Sequence, residues 1–97
     1  MAIHVLIVDD EENARQNIGE FLISQGYEVT GAGSLAEARD YLQRGVGDVV
    51  LLDVVLGDGY GPNLLHETAN WPMRPPVILI TAYPEVEMAV EAMKSGA

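Results

Sequence analysis

The sequence predicts an open α/β fold: a doubly wound parallel sheet in the strand order 2-1-3-4, with helices on both faces. Four short runs rich in β-branched residues, HVLIV (4–8), YEVTG (27–31), DVVLLDVV (48–55) and PVILITA (76–82), alternate with stretches of helical spacing. The first, third and fourth runs are almost continuously apolar, as parallel strands covered on both faces must be. Strand–helix alternation of this kind implies right-handed crossovers.

The helices follow from periodicity and end signals. Residues 11–25 place Ala14, Ile18, Phe21 and Leu22 on one side, and Gly26 follows as a stop. Residues 34–44 open with Ser34 and Glu37 in capping-box spacing and turn Leu35, Ala38 and Leu42 inward. Residues 62–71 predict a third helix that ends at Trp71 and Pro72. A fourth starts near Pro84, a residue tolerated in a first turn, and aligns Val86, Ala89, Val90 and Met93.

The 97 residues, 48% of them hydrophobic, suffice for one core and are read as one domain, 1–97. Five Lys and Arg against fifteen Asp and Glu leave a net charge of −10, which repels phosphate backbones and argues against direct nucleic-acid binding. No apolar run approaches the roughly 20 residues of a membrane span, and no signal-peptide pattern opens the chain. With no cysteine, disulfides and thiolate metal sites are excluded, and a cytoplasmic setting is the expectation.

Sheets of this type bind ligands beyond the carboxyl ends of the strands where strand order reverses, here between strands 1 and 3. Strand 1 runs out into Asp9 and Asp10, strand 3 carries Asp53, and strand 4 reaches Thr81. Converging carboxylates repel one another unless a cation joins them or one keeps its proton. All-oxygen donors without His or Cys favour Mg²⁺. The alternative is that Asp9 or Asp10 caps the first helix while Glu11 and Glu12 complement its dipole, a reading that accounts for Glu11 and Glu12. It does not account for Asp53, which interrupts the apolar run VVLLDVV. Gly31-Ala-Gly33-Ser-Leu-Ala36 fits a dinucleotide-loop pattern, yet it follows strand 2 rather than strand 1, and capping explains its Ser34. His4 and His66 stand apart from one another and from any metal-ligand spacing.

Asp9-Asp10 after strand 1, Asp53 after VVLL, Gly61 eight residues later and Thr81-Ala82 after strand 4 together resemble the receiver domain of two-component response regulators, a flavodoxin-like fold. The resemblance runs from about Ile3 to Ala97. It implies that Asp53 is the phosphoacceptor, that Asp10, Asp53 and the Val55 carbonyl hold Mg²⁺, and that Asp9 acts through a bound water. Thr81 and the Ala82 amide would donate to phosphoryl oxygens. A histidine kinase or phosphotransfer protein would supply the phosphoryl group, and no small-molecule turnover is expected.

The family carries a fifth strand and helix, with a Lys that pairs with the phosphoryl group. The chain stops at Ala97, about where that strand should begin, so a C-terminally truncated receiver is the expectation. Strand 4 would then be an open edge, and dimerisation through that edge or through helix 4 is expected. Gly57 stands where the loop usually has Pro, which predicts a more mobile segment over 57–61. Bulky, uncharged Val55 and Tyr83 predict a slowly hydrolysing acyl phosphate. AVEAMKSGA looks most like NtrC-like receivers, which precede an ATPase module and a DNA-binding module. The same residues suit an amphipathic helix whose outer face (Glu85, Glu87, Glu91, Lys94) is a candidate partner surface.

Two other functions compete. One is a non-phosphorylated interaction module of the same fold. The other is a Mg²⁺-dependent phosphohydrolase, which needs a second acid two residues after the nucleophile, where this chain has Val55.

Overall fold

The computed structural model describes residues 2–80. Thr81, Ala82, Tyr83 and the expected fourth helix lie outside the described residues. The elements are β1 (His4–Val8), α1 (Glu12–Ser24), β2 (Glu28–Ala32), α2 (Leu35–Gln43), β3 (Val49–Asp53), β4 (Val55–Leu56), β5 (Gly59–Tyr60), α3 (Gly61–Thr68) and β6 (Val77–Ile80).

The main sheet has four strands in the order β2-β1-β3-β6, all pairs parallel, as the alternation predicts. β1 lies inside it with Val5 to Val8 buried, which is why HVLIV tolerates no polar residue past His4. One face of the sheet presents Leu6, Val8, Val50, Leu52 and Val77 to Leu35, Ala38 and Leu42 of α2 and to Leu64 and Leu65 of α3. Burying such side chains stabilises by about 1.5–3 kcal/mol each.

The other face is covered by α1, and here the sequence-based expectation needs correction. Gly19 is the buried residue of α1, and a Cβ there would lie 3.5 Å from Val29 and 3.8 Å from Ile7. Phe21, expected inward, is 62% exposed. At about 100° per residue, a side chain two positions past the residue on the sheet points almost the opposite way. Ala14, Ile18 and Leu22 are half-buried. A glycine carries no weight in a hydrophobic pattern, so the periodicity of α1 does not reveal that Gly19 faces the sheet.

The start of α2 follows the capping prediction and exceeds it. Ser34 Oγ accepts from the Glu37 amide at 3.1 Å, and Glu37 reaches back to the Gly33 amide at 3.1 Å. The next two amides, Leu35 and Ala36, donate to the Asp58 carboxylate at 2.9 and 3.1 Å. Asp58 sits between β4 and β5, an antiparallel two-residue ladder that the sequence did not suggest. The 57–61 segment, expected to be loose because of its glycines, is therefore tied to α2.

Those two amides hold the Asp58 carboxyl below its ordinary range. A depressed carboxylate contributes stability above its unfolded pKa, and the contribution fades as pH falls through the folded value. Asp58→Ala is accordingly expected to lower the thermal midpoint at neutral pH, with the gap to wild type closing in acid, as followed by circular dichroism.

α3 stops at Thr68, three residues before the expected end. The Thr68 hydroxyl donates to the Leu64 carbonyl at 2.7 Å, and Trp71 N–H closes a turn onto Thr68 O at 3.0 Å. Trp71 then packs against the core cluster. Among the described residues, no helix is long and apolar enough to cross a membrane.

Candidate functional site

Strand pairing assembles the site. β1 and β3 are neighbours in register, Val8 opposite Leu52, so the residues that follow, Asp9 and Asp53, emerge side by side at the carboxyl edge. One carboxylate oxygen from each of Asp9, Asp10 and Asp53 lies within 4.8 Å of the others. Asp9 is buried, Asp53 half-buried and Asp10 exposed.

Hydrogen bonds hold the acids in place. The Asp9 amide extends the β1–β2 ladder to Ala32 O at 3.0 Å, its Oδ1 accepts from the Glu11 amide at 3.0 Å, and its carbonyl accepts from Arg15 Nη1 at 2.7 Å. Asp53 Oδ1 accepts from the Val54 amide at 2.8 Å. Gly61 N–H donates to Val54 O at 2.6 Å, and a Cβ on Gly61 would sit 2.1 Å from the Asp53 carbonyl oxygen. Gly57 passes Asp10 closely, its Cβ position 3.7 Å from Oδ2.

Asp53 is pushed above the usual aspartate range, chiefly by burial and then by the negative charge of Asp9, with Asp10 adding to it. The Val54 and Val55 amides pull the other way without cancelling the rise. Such a carboxyl is one that a cation would return to its charged form.

The donor set suits a hard divalent ion. Mg²⁺ holds oxygen ligands at about 2.1 Å, so pairs of ligands stand roughly 3–4 Å apart. Oxygens already within 4.8 Å need little movement to reach that spacing.

Of the residues singled out in the sequence, Asp9, Asp10 and Asp53 come together as expected. Val55, whose carbonyl the resemblance offers as a metal ligand, follows two residues after Asp53 on β4 and is 65% exposed. Thr81 and Ala82 lie outside the described residues. Sequence reasoning missed Arg15 and Asp58, although a long side chain in a first helical turn leans back towards the N-terminus and so towards Asp9.

A family model described as the response regulator receiver domain matches residues 5–97. The chain belongs to that family. The receiver is 41% identical over 93 residues to the regulatory protein AtoC of Escherichia coli, covering 96% of this chain and 20% of AtoC. It is 36% identical to the response regulator protein PilR of Pseudomonas aeruginosa, over 95% of this chain and 21% of PilR. It thus spans about a fifth of the length of each of these two curated relatives. NtrX from Brucella abortus superposes with a TM-score of 0.87 at 32% identity, over 100% of this chain and 22% of NtrX. A Francisella response regulator receiver domain superposes with a TM-score of 0.89 at 27% identity, over 98% of this chain and 78% of that one. The receiver therefore carries the flavodoxin-like fold, and its relatives are NtrC-family response regulators of two-component systems.

Proposed function

We propose that this receiver is a phosphorylation-dependent switch whose phosphoacceptor is Asp53. An Asp53 carboxylate oxygen attacks the phosphorus of a phosphohistidine on a histidine kinase or phosphotransfer protein. The new O–P bond forms as the N–P bond breaks, and the imidazole departs. The observation that carries this reading is the meeting of Asp9, Asp10 and Asp53 at adjacent strand ends, oxygens within 4.8 Å, where burial and neighbouring charge raise the pKa of Asp53.

Asp10, Asp53 and the Val55 carbonyl would hold Mg²⁺, and Asp9 would act through a bound water. When bound, Mg²⁺ neutralises the acids and the equatorial phosphoryl oxygens, the main requirement of this reaction. Thr81 donates its hydroxyl, and Ala82 its amide, to phosphoryl oxygens. The Val54 amide steadies Asp53 Oδ1 at 2.8 Å while the acceptor is used.

Phosphorylation shifts a pre-existing equilibrium at the carboxyl edge and passes it to output modules beyond this domain, of the NtrC kind, in a cytoplasmic protein. The receiver itself, at a net charge of −10, does not bind nucleic acid. Val55 and Tyr83 leave the acyl phosphate without a side chain to orient attacking water, so it hydrolyses slowly.

Incubation with acetyl phosphate and Mg²⁺, followed by intact-mass measurement, tests the assignment. The expected result is an adduct of one phosphoryl group, absent in Asp53→Asn and in metal-free samples. An adduct that survives Asp53→Asn would place the acceptor elsewhere.

A further inference from the structure

The glycine pair at the end of β2 takes no part in the mechanism above, and neither does Arg15. They meet. Gly31 and Gly33 are two residues apart and so open the same side of the strand end. Arg15 lies in that opening. A Cβ on Gly31 would stand 3.4 Å from Arg15 Cδ and 3.5 Å from Nε, and one on Gly33 would stand 3.2 Å from Nη1. The guanidinium continues past them to donate from Nη1 to the Asp9 carbonyl at 2.7 Å.

We infer that Arg15, seated over Gly31 and Gly33, is a positioning residue that sets the Asp9–Asp10 turn for the divalent ion. Asp9 is held at three points by three parts of the chain: its amide by Ala32 of β2, its carboxylate by Glu11 of its own turn, its carbonyl by Arg15 of α1. The third point matters most for the neighbour. A peptide unit is planar, so fixing the Asp9 oxygen fixes the direction in which the chain enters Asp10. Asp10 is exposed, and among the described residues no hydrogen bond holds its carboxylate. Its aim therefore depends on the backbone behind it. The glycines explain why the motif looks like a dinucleotide loop without being one: the space left by the missing side chains is filled by an arginine.

This inference rests on the proposed Mg²⁺ site, and a sign distinguishes it from mere electrostatics. A guanidinium beside the site repels a dication, so if charge dominated, removing Arg15 would tighten Mg²⁺ binding. If positioning dominates, removal weakens it, as loss of groups that orient ligands does, by roughly tenfold or more.

The test titrates Mg²⁺ into the metal-free chain while amide resonances near Asp10 and Asp53 are followed, with melting curves recorded without metal. Arg15→Met keeps bulk over the glycines and drops the donor; it is expected to weaken Mg²⁺ about tenfold. Arg15→Lys, which restores a charged donor, recovers most of the affinity. Gly33→Ala, whose methyl group crowds Nη1, weakens binding in the same direction with an intact Arg15. Equal or tighter Mg²⁺ binding by Arg15→Met overturns the inference, as does a loss that Arg15→Lys leaves unrecovered. A wild-type chain that takes up no Mg²⁺ sinks the metal reading itself, a result distinct from a wild type and an Arg15→Met that bind equally well.

Discussion

Gly61→Ala is expected to cost about 3 kcal/mol of stability or more, because overpacking against main chain has no flexible side chain to absorb it. The added methyl carbon would fall 2.1 Å from the carbonyl oxygen of Asp53, 3.1 Å from its carbonyl carbon and 3.2 Å from Val54 O. Relief requires the β5–α3 junction to swing away from the end of β3, which breaks the 2.6 Å bond from Gly61 N–H to Val54 O. A loss of this size lowers the melting midpoint of a domain this small by roughly 12–24 °C. Gly57→Ala is the control. Among the described residues its methyl group meets Asp10 Oδ2 alone, at 3.7 Å, an ordinary contact, and it should melt close to wild type. A Gly61→Ala variant as stable as Gly57→Ala would mean that the loop does not return against Asp53 as described. Gly61 thus lets the chain fold back tightly against Asp53, the proposed phosphoacceptor, and the spacing seen in the sequence acquires a steric cause.

The second large effect concerns pH and metal. Asp53 has its pKa raised in the folded state by burial and by Asp9. A carboxyl of this kind favours the fold below the ordinary aspartate pKa, and the advantage is lost as pH rises through the raised value. At neutral pH the metal-free domain therefore carries a destabilising charge at Asp53. Asp53→Asn removes it while retaining an oxygen for the Val54 amide. One like-charge contact at about 4 Å in a water-like dielectric is worth ~1 kcal/mol, which suits a cluster open to solvent. The variant should melt about 4–8 °C higher than the metal-free wild type at pH 7, with the gap narrowing towards pH 4. Saturating Mg²⁺ should raise wild type instead, by ~1.4 kcal/mol at ten times its dissociation constant, and leave Asp53→Asn nearly unmoved. Melting curves with and without Mg²⁺ at both pH values check both signs. If wild type and Asp53→Asn respond equally to Mg²⁺, Asp53 is not a ligand.

Much of this was legible before any coordinates. The run at 4–8 and the described part of the fourth run, Val77–Ile80, the capping pair Ser34 and Glu37, and Gly26 as a helix stop report on local chemistry that tertiary packing did not override. Gly26 indeed has φ of 96°, a conformation that favours glycine. The acids were legible because charge at the end of a buried strand is costly and needs a reason. Phe21 was misread because a helix turns its smallest residue, Gly19, to the sheet where Ile7 and Val29 come close. Arg15 went unseen because its seat over Gly31 and Gly33 exists only once β2 lies beside β1, and Asp58 because it acts on amides 22 and 23 positions away.

What the amino-acid order determined alone was the inventory: parallel strands from continuous β-branched runs, helices from their caps, and acids where strands leave the core. What tertiary structure decided was adjacency. Only with β1 beside β3 do Asp9, Asp10 and Asp53 come within 4.8 Å, and only with β2 beside β1 does a glycine pair receive Arg15. The physical reason is range: propensity, capping and hydrophobic period act over a few residues, whereas repulsion among carboxylates and the fit of a side chain into a slot depend on distances that the sheet's order sets.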